Sequence, residues 1–285
     1  MFSKYDRKLS VMDMECIVRF IPSLIKRYNE WDQKSLNNCN CPFCERWLNS
    51  SKSISQLFHI IKNDYPFMVN QFTIFGNIHE EFLNSVQIKS ALKLINDMPS
   101  CQSGGVQIFG SGASIPQHAH FSISNEKYPI SILNRSVILT TKTFQISRIL
   151  GIPHLALVVS GQLEDVSSIT YKISQTLRYK KLSYNLLLTD NHEIIVIPRI
   201  RENSVSLGRK VGVSFVGGIY PCYVKNMQPY ELSESVLNEM FYHWQTVNSS
   251  ILLQALVDTT LPSTLQKNEV FELIEFDTIL NRNIL

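Results

Sequence analysis

The sequence of 285 residues lacks a strong charge of either sign, a long hydrophobic run and any low-complexity segment. Its 27 Lys and Arg residues against 24 Asp and Glu residues leave a formal charge of +3, which argues against a nucleic-acid groove or a membrane-surface patch. The longest apolar stretches, such as 155–160 and 194–198, fall far short of the ~18 residues that span a bilayer. The charged start carries no apolar signal region, and neither end carries a lipidation motif. We therefore expect a soluble, cytoplasmic protein.

The overall composition is that of an ordinary globular protein. Hydrophobic residues make up 44% of the chain and charged residues 18%, which excludes intrinsic disorder. The length allows one large α+β domain or two smaller ones. In the expected intracellular setting, the six cysteines are interpreted as thiols or metal ligands rather than as disulfides.

Hydrophobic periodicity predicts both helices and strands. Apolar residues at helical spacing predict helices over 11–31, 54–63, 80–98 and 166–179. β-Forming segments predict strands at 67–75, 106–109, 118–124, 155–159, 184–189 and 193–198, with turns at 63–66 and 190–192. Both halves show a helix followed by paired strands, which predicts an α+β fold built from a duplicated unit.

The most informative stretch is 110–124, where a glycine-containing loop leads into His118-Ala-His120. Because successive strand residues point to opposite faces, His118, His120 and Ser122 are expected on one face of a strand. When two histidines lie ~7 Å apart, one can bind a metal or orient the site while the other faces a substrate. The loop glycines let backbone N–H groups approach an anion such as phosphate. Two polar residues on a solvated strand face are the alternative interpretation.

A second group of candidate residues is Cys39-Asn-Cys41-Pro-Phe-Cys44. A Cys-x-x-Cys pair suits tetrahedral zinc, which then needs two more ligands from distant residues, with Cys39 as an alternative ligand. The same Cys-Pro-Phe-Cys motif resembles the glutaredoxin redox site. That site follows an apolar strand, whereas residues 34–38 do not have the pattern of a strand. Cysteines without a role in a loop are a third interpretation.

The order of these motifs resembles the histidine-triad (HIT)-like superfamily, specifically its galactose-1-phosphate uridylyltransferase branch. That branch includes nucleoside-diphosphate-sugar phosphorylases and diadenosine tetraphosphate phosphorylases. The matching features are Cys41-Pro-Phe-Cys44, an Asn63-x-x-Pro66 turn before a strand, His79 at a strand end, a Gly112-Ala-Ser114 loop and His118-x-His120. Segments 184–190 and 196–199 resemble the second half of the sugar-nucleotide phosphorylases.

The resemblance implies a uridylyltransferase-like fold in which two HIT-like halves form antiparallel sheets flanked by helices. Residues 1–140 would carry the zinc site and the His-x-His strand, and residues 141–285 would form the second half. The implied zinc ligands are Cys41, Cys44, His79 and His118. The implied catalytic residues are His120, as the nucleophile, and Ser122. The implied substrate-binding residues are Asn63, Gly112, Ser114 and Gln117.

The activity that the resemblance implies is nucleotidyl transfer to, or phosphorolysis by, a second phosphate group. The substrate would be a nucleoside diphosphate sugar or a dinucleoside polyphosphate, the acceptor phosphate or a sugar phosphate, and the intermediate a nucleotidyl-histidine. A homodimer is also expected, with neither nucleic acid nor membrane as a partner. At Ser122 the chain departs from the family, whose transferases and phosphorylases carry Gln there and whose hydrolases carry His. A nucleotide hydrolase and a non-catalytic zinc-stabilised nucleotide-binding module therefore stay as alternatives.

The remaining histidines and the basic residues near 199–210 are interpreted as structural. His59 and His243 fall in helical patterns, His192 lies at a hairpin tip and His154 follows a proline in a loop. Arg199 and the basic set Arg201, Arg209 and Lys210 are interpreted as a solvated loop face, with contact to phosphates as the alternative.

Overall fold

The computed structural model describes residues 6–21, 41–44, 48–63, 66–222 and 234–275. Its strands are β1 (Asp6–Val11), β2 (Met14–Phe20), β3 (Lys52–Ser53), β4 (Phe58–Lys62), β5 (Phe72–Gly76), β6 (Ser103–Gln107), β7 (His120–Ser124), β8 (Arg135–Thr140), β9 (Phe144–Ile149), β10 (Leu157–Gly161), β11 (Ser183–Thr189), β12 (Ile194–Arg199), β13 (Asn203–Ser204), β14 (Arg209–Lys210) and β15 (Ile219–Cys222). Its α-helices are α1 (Ser85–Asp97), α2 (Leu163–Tyr179), α3 (Val213–Val216), α4 (Glu234–Thr246), α5 (Ser249–Thr259) and α6 (Lys267–Leu273). Short 3-10 turns lie at Leu48–Ser50 and Pro129–Ile132.

A ten-stranded antiparallel sheet organises the described chain, in the order β3-β4-β5-β7-β6-β11-β12-β10-β9-β8. Two blocks of five strands meet where β6 pairs with β11, with Val106 opposite Leu186. The predicted α+β fold of antiparallel strands flanked by helices is confirmed, and its two blocks of strands form one continuous sheet. The division of the chain at residue 140 stays a prediction; β8, just before it, pairs with β9, just after it.

The two faces of this sheet carry different layers. On one face, buried residues of helices α1 and α2, such as Leu92 and Ile173, belong to one hydrophobic cluster with Phe121 and Ile123 of β7. On the other face lies the three-stranded sheet β1-β2-β15 together with helices α3 and α5. Alternation along β7 therefore turns His120 and Ser122 toward this second face.

The predicted helix over 11–31 is wrong for its described part. Residues 14–20 form strand β2, which pairs with β1 in a hairpin. Met14, Cys16 and Val18 alternate as buried residues, so the period of two prevails over the apparent helical spacing once the partner strand is present. Residues 22–31 lie outside the described segments.

The predicted helix over 54–63 is also wrong, because residues 58–62 form strand β4 between β3 and β5. A short apolar run does not distinguish helix from strand by itself, and the cross-strand partners decide. The helices predicted over 80–98 and 166–179 are confirmed as α1 and α2, and the β11–β12 hairpin is confirmed with His192 in its turn. Within the described segments, every helix is too short or too polar to span a membrane.

Candidate active site and metal centre

Four potential metal ligands from three separate parts of the chain converge beside the end of β5. Cys41 and Cys44 lie in one tight turn, in which the Cys44 N–H donates to the Cys41 carbonyl at 3.0 Å. His79 lies between β5 and α1, and His118 lies two residues before the start of β7. One donor atom from each of the four side chains lies within 4.8 Å of the other three.

The separations of the donor atoms fit one tetrahedral ion. The Sγ atom of Cys41 lies 3.3 Å from Nδ1 of His118, and Sγ of Cys44 lies 3.2 Å from Nδ1 of His79 and 3.6 Å from Nδ1 of His118. Around an ion with S and N bonds of about 2.3 and 2.0 Å, tetrahedral angles place neighbouring ligand atoms about 3.3–3.8 Å apart. The cluster can therefore hold a metal ion; Cys39, the alternative ligand, lies outside the described residues.

The protonation of His118 also suits a metal ligand. Its Nε2–H donates to the Gly76 carbonyl at 3.0 Å, so the lone pair of the neutral ring is on Nδ1, which faces the two thiols. Burial lowers the pKa of His118, the Gly76 carbonyl opposes this shift, and nearby His79 adds to it. A neutral imidazole is the form that binds metals.

His118 is not part of the strand that the sequence predicted over 118–124. Strand β7 begins at His120, because the preceding N–H groups bond within the loops, Ala119 to the Glu80 carbonyl and His118 to that of Ile115. The two histidines nevertheless remain on one side of the site. The Phe43 ring lies 5.3 Å from the His118 ring and 4.9 Å from the His120 ring, centroid to centroid.

His120 is held in one tautomer by the backbone of the metal-site residue. Its Nδ1–H donates to the His118 carbonyl at 2.8 Å, so the lone pair of the neutral imidazole is on Nε2. The side chain is nearly buried, with 5% exposure. It lies between Phe75 of β5 and Gln107 of β6, which are its partners across the sheet.

Ser122, the other predicted catalytic residue, is buried on the same face. It lies opposite Gly105 of β6, at a position where an added Cβ would be 2.4 Å from the Tyr128 hydroxyl. Burial raises the pKa of Tyr128, and the nearby Ser122 hydroxyl opposes that shift. The Ser122 hydroxyl therefore borders the Tyr128 side chain, two residues along β7 from His120.

The loop at 110–117, which the sequence predicts as an anion-binding segment, has glycines in backbone conformations that other residues rarely adopt. Gly110 and Gly112 have positive φ angles of 73° and 82°. At Gly112 a Cβ atom would lie 2.2 Å from the Val211 carbonyl oxygen, so this close approach requires glycine. In the same loop Ser114 is exposed and Gln117 is half-buried.

Asn63, the predicted nucleoside contact, lies at a different level of the sheet. It follows β4, whose Lys62 is level with Phe72 and Ile123, whereas His59 is level with Phe75 and His120. Three residues of strand, or about 10 Å, separate these two levels, and Asn63 lies one residue further along the chain. The structure thus places Asn63 away from the His120 level, and its contact with a nucleoside stays a prediction.

Arg199 was expected on a solvated loop face, and this expectation is wrong because the side chain is completely buried. Its guanidinium donates to Asn185 Oδ1 at 2.7 Å and to the carbonyls of Val211 and Thr259 at 3.0 Å. Burial lowers the pKa of Arg199 to about 9, and Glu202 opposes the shift. The sequence carried no signal for this role, since a cation after an apolar run is usually solvated.

The Arg199–Asn185 pair contacts the backbone of the glycine loop. Both side chains approach the Ser111 carbonyl, at 3.5 Å from Arg199 Nη1 and 3.3 Å from Asn185 Nδ2. The Val211 carbonyl that packs against Gly112 is bound by the same guanidinium. A buried cation therefore holds the two segments that enclose Gly112.

The other histidines have structural surroundings. His59 was expected in a helix, but it lies in β4, where it hydrogen-bonds to Ser51 at 3.0 Å and stacks on Phe75. His243 lies in helix α4 as predicted and pairs with the Tyr220 hydroxyl at 2.8 Å. His154 is completely buried.

Comparison with known proteins agrees with this architecture. Residues 3–125 match a family model described as a domain of unknown function, DUF4922. No curated protein matches the chain by sequence. The structure is similar to yeast Ap4A phosphorylase Apa2, with a TM-score of 0.62 and 14% identity over 93% of this chain and 90% of that one. The same yeast enzyme in complex with Ap4A gives a TM-score of 0.60 and 15% identity, covering 91% of this chain and 90% of that one.

An ADP-glucose phosphorylase from Arabidopsis thaliana with bound ADP-glucose is less similar, with a TM-score of 0.41, 14% identity and coverage of 82% of this chain and 97% of that one. The yeast enzyme and this chain share one fold. The histidine-triad-like fold that the motif order predicts is confirmed.

Proposed function

We propose that this chain, which has the histidine-triad-like fold of yeast Ap4A phosphorylase, is a nucleotidyltransferase or phosphorylase with His120 as its nucleophile. The observation that carries the proposal is the hydrogen bond from His120 Nδ1–H to the His118 carbonyl. It leaves the lone pair on Nε2, and a neutral imidazole is a competent nucleophile near pH 7. The adjacent glycine loop supports binding of an anionic substrate.

The proposed reaction has two displacements at one phosphorus atom. Nε2 of His120 attacks the α-phosphorus, the N–P bond forms, and the P–O bond to the leaving phosphate group breaks. An oxygen of inorganic phosphate or a sugar phosphate then attacks the same phosphorus, the N–P bond breaks, and His120 is restored. While His120 carries the nucleotidyl group, its Nδ1–H remains bonded to the His118 carbonyl, which stabilises the positive imidazolium.

The substrate class that we propose is a nucleoside diphosphate sugar or a dinucleoside polyphosphate. The yeast enzyme was determined with Ap4A and with AMP, and the two chains share one fold over most of their length. In this chain the α-phosphate would lie between His120 and the loop that contains Gly112 and Ser114, with Gln117 at its end. Ser122, two residues along β7 from His120, would donate a hydrogen bond from its hydroxyl to a phosphate oxygen.

We propose zinc as the metal of the Cys41, Cys44, His79 and His118 cluster, because two thiolates and two imidazoles in tetrahedral positions suit Zn²⁺. Four protein ligands complete its coordination, so the ion would be structural. It would fix His118, and the His118 carbonyl in turn orients the His120 ring.

The proposal is tested by trapping the intermediate. Wild-type protein is incubated with Ap4A or a nucleoside diphosphate sugar, each labelled at the α-phosphorus. We expect acid-labile, base-stable label on the protein, because a phosphoramidate has that stability. His120→Ala should abolish the label and lower turnover by at least about 10³-fold. His192→Ala, at the exposed tip of the β11–β12 hairpin, is the matched control and should keep both.

The acceptor is identified by following products with and without inorganic phosphate. Phosphate-dependent release of nucleoside diphosphate supports a phosphorylase, and release of nucleoside monophosphate in water alone supports the hydrolase. Nucleotide binding without label or product would support the binding module that Ser122 leaves open. Wild-type turnover by His120→Ala would contradict the covalent mechanism.

A further inference from the structure

Arg199 carries a buried positive charge for which the described part of the chain provides no anion. Its side chain is completely buried. Its guanidinium donates to four neutral oxygens within 3.1 Å, those of the Asn185 amide and of the Arg201, Val211 and Thr259 carbonyls. No described carboxylate accepts from it. A fully buried charge is costly unless it is paired, so the opposite charge is expected to come from a ligand.

Arg19 shows how the same protein otherwise buries an arginine. Its side chain is 2% exposed. The two Asp6 carboxylate oxygens accept from it at 2.6 and 2.8 Å, and those of Glu126 accept at 2.8 and 2.9 Å. Two carboxylates thus neutralise Arg19, whereas Arg199 is bound only by neutral groups within the described segments.

The peptide group between Ser111 and Gly112 connects Arg199 to the glycine loop. Its carbonyl oxygen lies 3.5 Å from Nη1 of Arg199 and 3.3 Å from Nδ2 of Asn185. None of the described peptide bonds is cis, and a trans peptide group points its C=O and its N–H in opposite directions. The Gly112 N–H therefore points away from Arg199. It has no acceptor among the described residues.

The neighbouring peptide groups of this loop show the same pattern. The Phe109 carbonyl accepts from the Ser183 hydroxyl at 2.8 Å, so the Gly110 N–H also points away from strand β11. Neither this N–H nor that of Ala113, whose residue is 1% exposed, has an acceptor in the described chain. Because backbone donors in the interior are nearly always paired, these N–H groups indicate a site for an anionic ligand.

We infer that Arg199 is a positioning residue for phosphate recognition, which fixes the Ser111 carbonyl so that the Gly112 N–H donates to a phosphate oxygen. The guanidinium does not touch the substrate, and no bond to it forms or breaks. Its charge polarises the intervening peptide group, which makes the Gly112 N–H a stronger donor. The inference rests on the function proposed above and gives strands β11 and β12 a role in the site.

The test compares Arg199→Met, which removes the charge, with Arg199→Lys, which keeps it. Calorimetric binding of inorganic pyrophosphate is measured below the melting temperature of each variant, together with label transfer from α-labelled Ap4A. We expect Arg199→Met to weaken pyrophosphate binding about 10–10²-fold and to slow labelling, because a charge-strengthened hydrogen bond is lost. Arg199→Lys should restore most of both.

The matched control is Arg178→Met, which removes an exposed arginine from helix α2 on the opposite face of the sheet. It should bind pyrophosphate and accept label as wild type does. A merely structural role of Arg199 predicts instead that both substitutions lower the melting temperature while the folded variants bind pyrophosphate normally.

A further variant serves if Arg199→Met does not fold. Asn185→Asp keeps an oxygen that accepts from the guanidinium and adds a carboxylate beside it. The added negative charge neutralises Arg199, so pyrophosphate binding should again weaken.

Unchanged pyrophosphate binding and labelling in the folded variants would overturn the inference and leave the proposed function intact. If the wild type forms no labelled intermediate, the proposed function fails and pyrophosphate binding decides the role of Arg199. If the wild type is labelled but binds no pyrophosphate, the labelling rates of the variants decide. If it is neither labelled nor binds pyrophosphate, both proposals are overturned.

Discussion

At the residue scale, burial controls the protonation of side chains around the Arg199 network. His154 is completely buried, and burial together with the Arg199 charge lowers its pKa from 6.5 to about 3. Between these two values the unfolded chain binds a proton that the folded chain does not. The free energy of unfolding should therefore fall as the pH falls from about 6.5 toward 3, by up to about 1.4 kcal/mol per pH unit for this group.

The contribution of His154 is isolated with His154→Gln, which removes the titrating ring. The free energy of unfolding of both proteins is measured by urea denaturation at pH 7, 6, 5 and 4. As the pH falls, wild type should lose stability relative to His154→Gln. The carboxylates and the metal site are common to both proteins, so their effects cancel in the difference. Exposed His192→Gln is the control and should run parallel to wild type. A constant difference between wild type and His154→Gln would contradict the prediction.

At the element scale, the glycine loop depends on a close contact between two segments. Gly112 and Gly208 both have positive φ angles, of 82° and 64°. A Cβ at Gly112 would lie 2.2 Å from the Val211 oxygen, whereas a Cβ at Gly208 meets nothing within 4 Å. Alanine substitutions at the two positions therefore distinguish the effect of backbone strain on stability from the effect of a steric clash.

We expect Gly208→Ala to lower the free energy of unfolding by about 1 kcal/mol, the strain of a left-handed residue alone. Gly112→Ala should lower it by several times as much, because the Val211 segment held by Arg199 must also move. Urea denaturation measures both. Label transfer from nucleotide should be lost in Gly112→Ala and kept in Gly208→Ala; equal stabilities in the two variants would show that the Val211 contact is unimportant.

At the scale of the whole molecule, the metal cluster connects three distant parts of the chain. The turn at 41–44 is separated by long stretches of sequence from His79 and His118. We expect about one zinc ion per chain, and Cys41→Ser should lose it and melt at a lower temperature, because metal binding is coupled to folding.

Metal analysis and thermal melting with and without chelator test this expectation. Cys101→Ser is the matched control, since the hydroxyl can keep the hydrogen bond to the Ser103 carbonyl and Cys101 is outside the cluster. It should keep both metal and stability. Trace metal content in the wild type, together with an equally stable Cys41→Ser variant, would contradict a structural zinc site.

Several features of the protein follow from local spacing along the chain. Helices α1 and α2 follow from long amphipathic periods, and the β11–β12 hairpin follows from two apolar runs around Asp190-Asn191-His192. The order of the motifs also identified the four residues that converge as a potential metal cluster, and it pointed to the fold. These inferences needed only neighbouring residues or the resemblance of short motifs.

Other features depend on residues far apart in the sequence, which meet only in the folded chain. Strands β2 and β4 were predicted as helices, because short apolar runs satisfy both periods until a neighbouring strand pairs with them. Arg199 is buried because carbonyls from three segments surround it, and no local pattern encodes that. Gln107 lies beside His120 because β6 and β7 pair in one register, and register is a property of the assembled sheet.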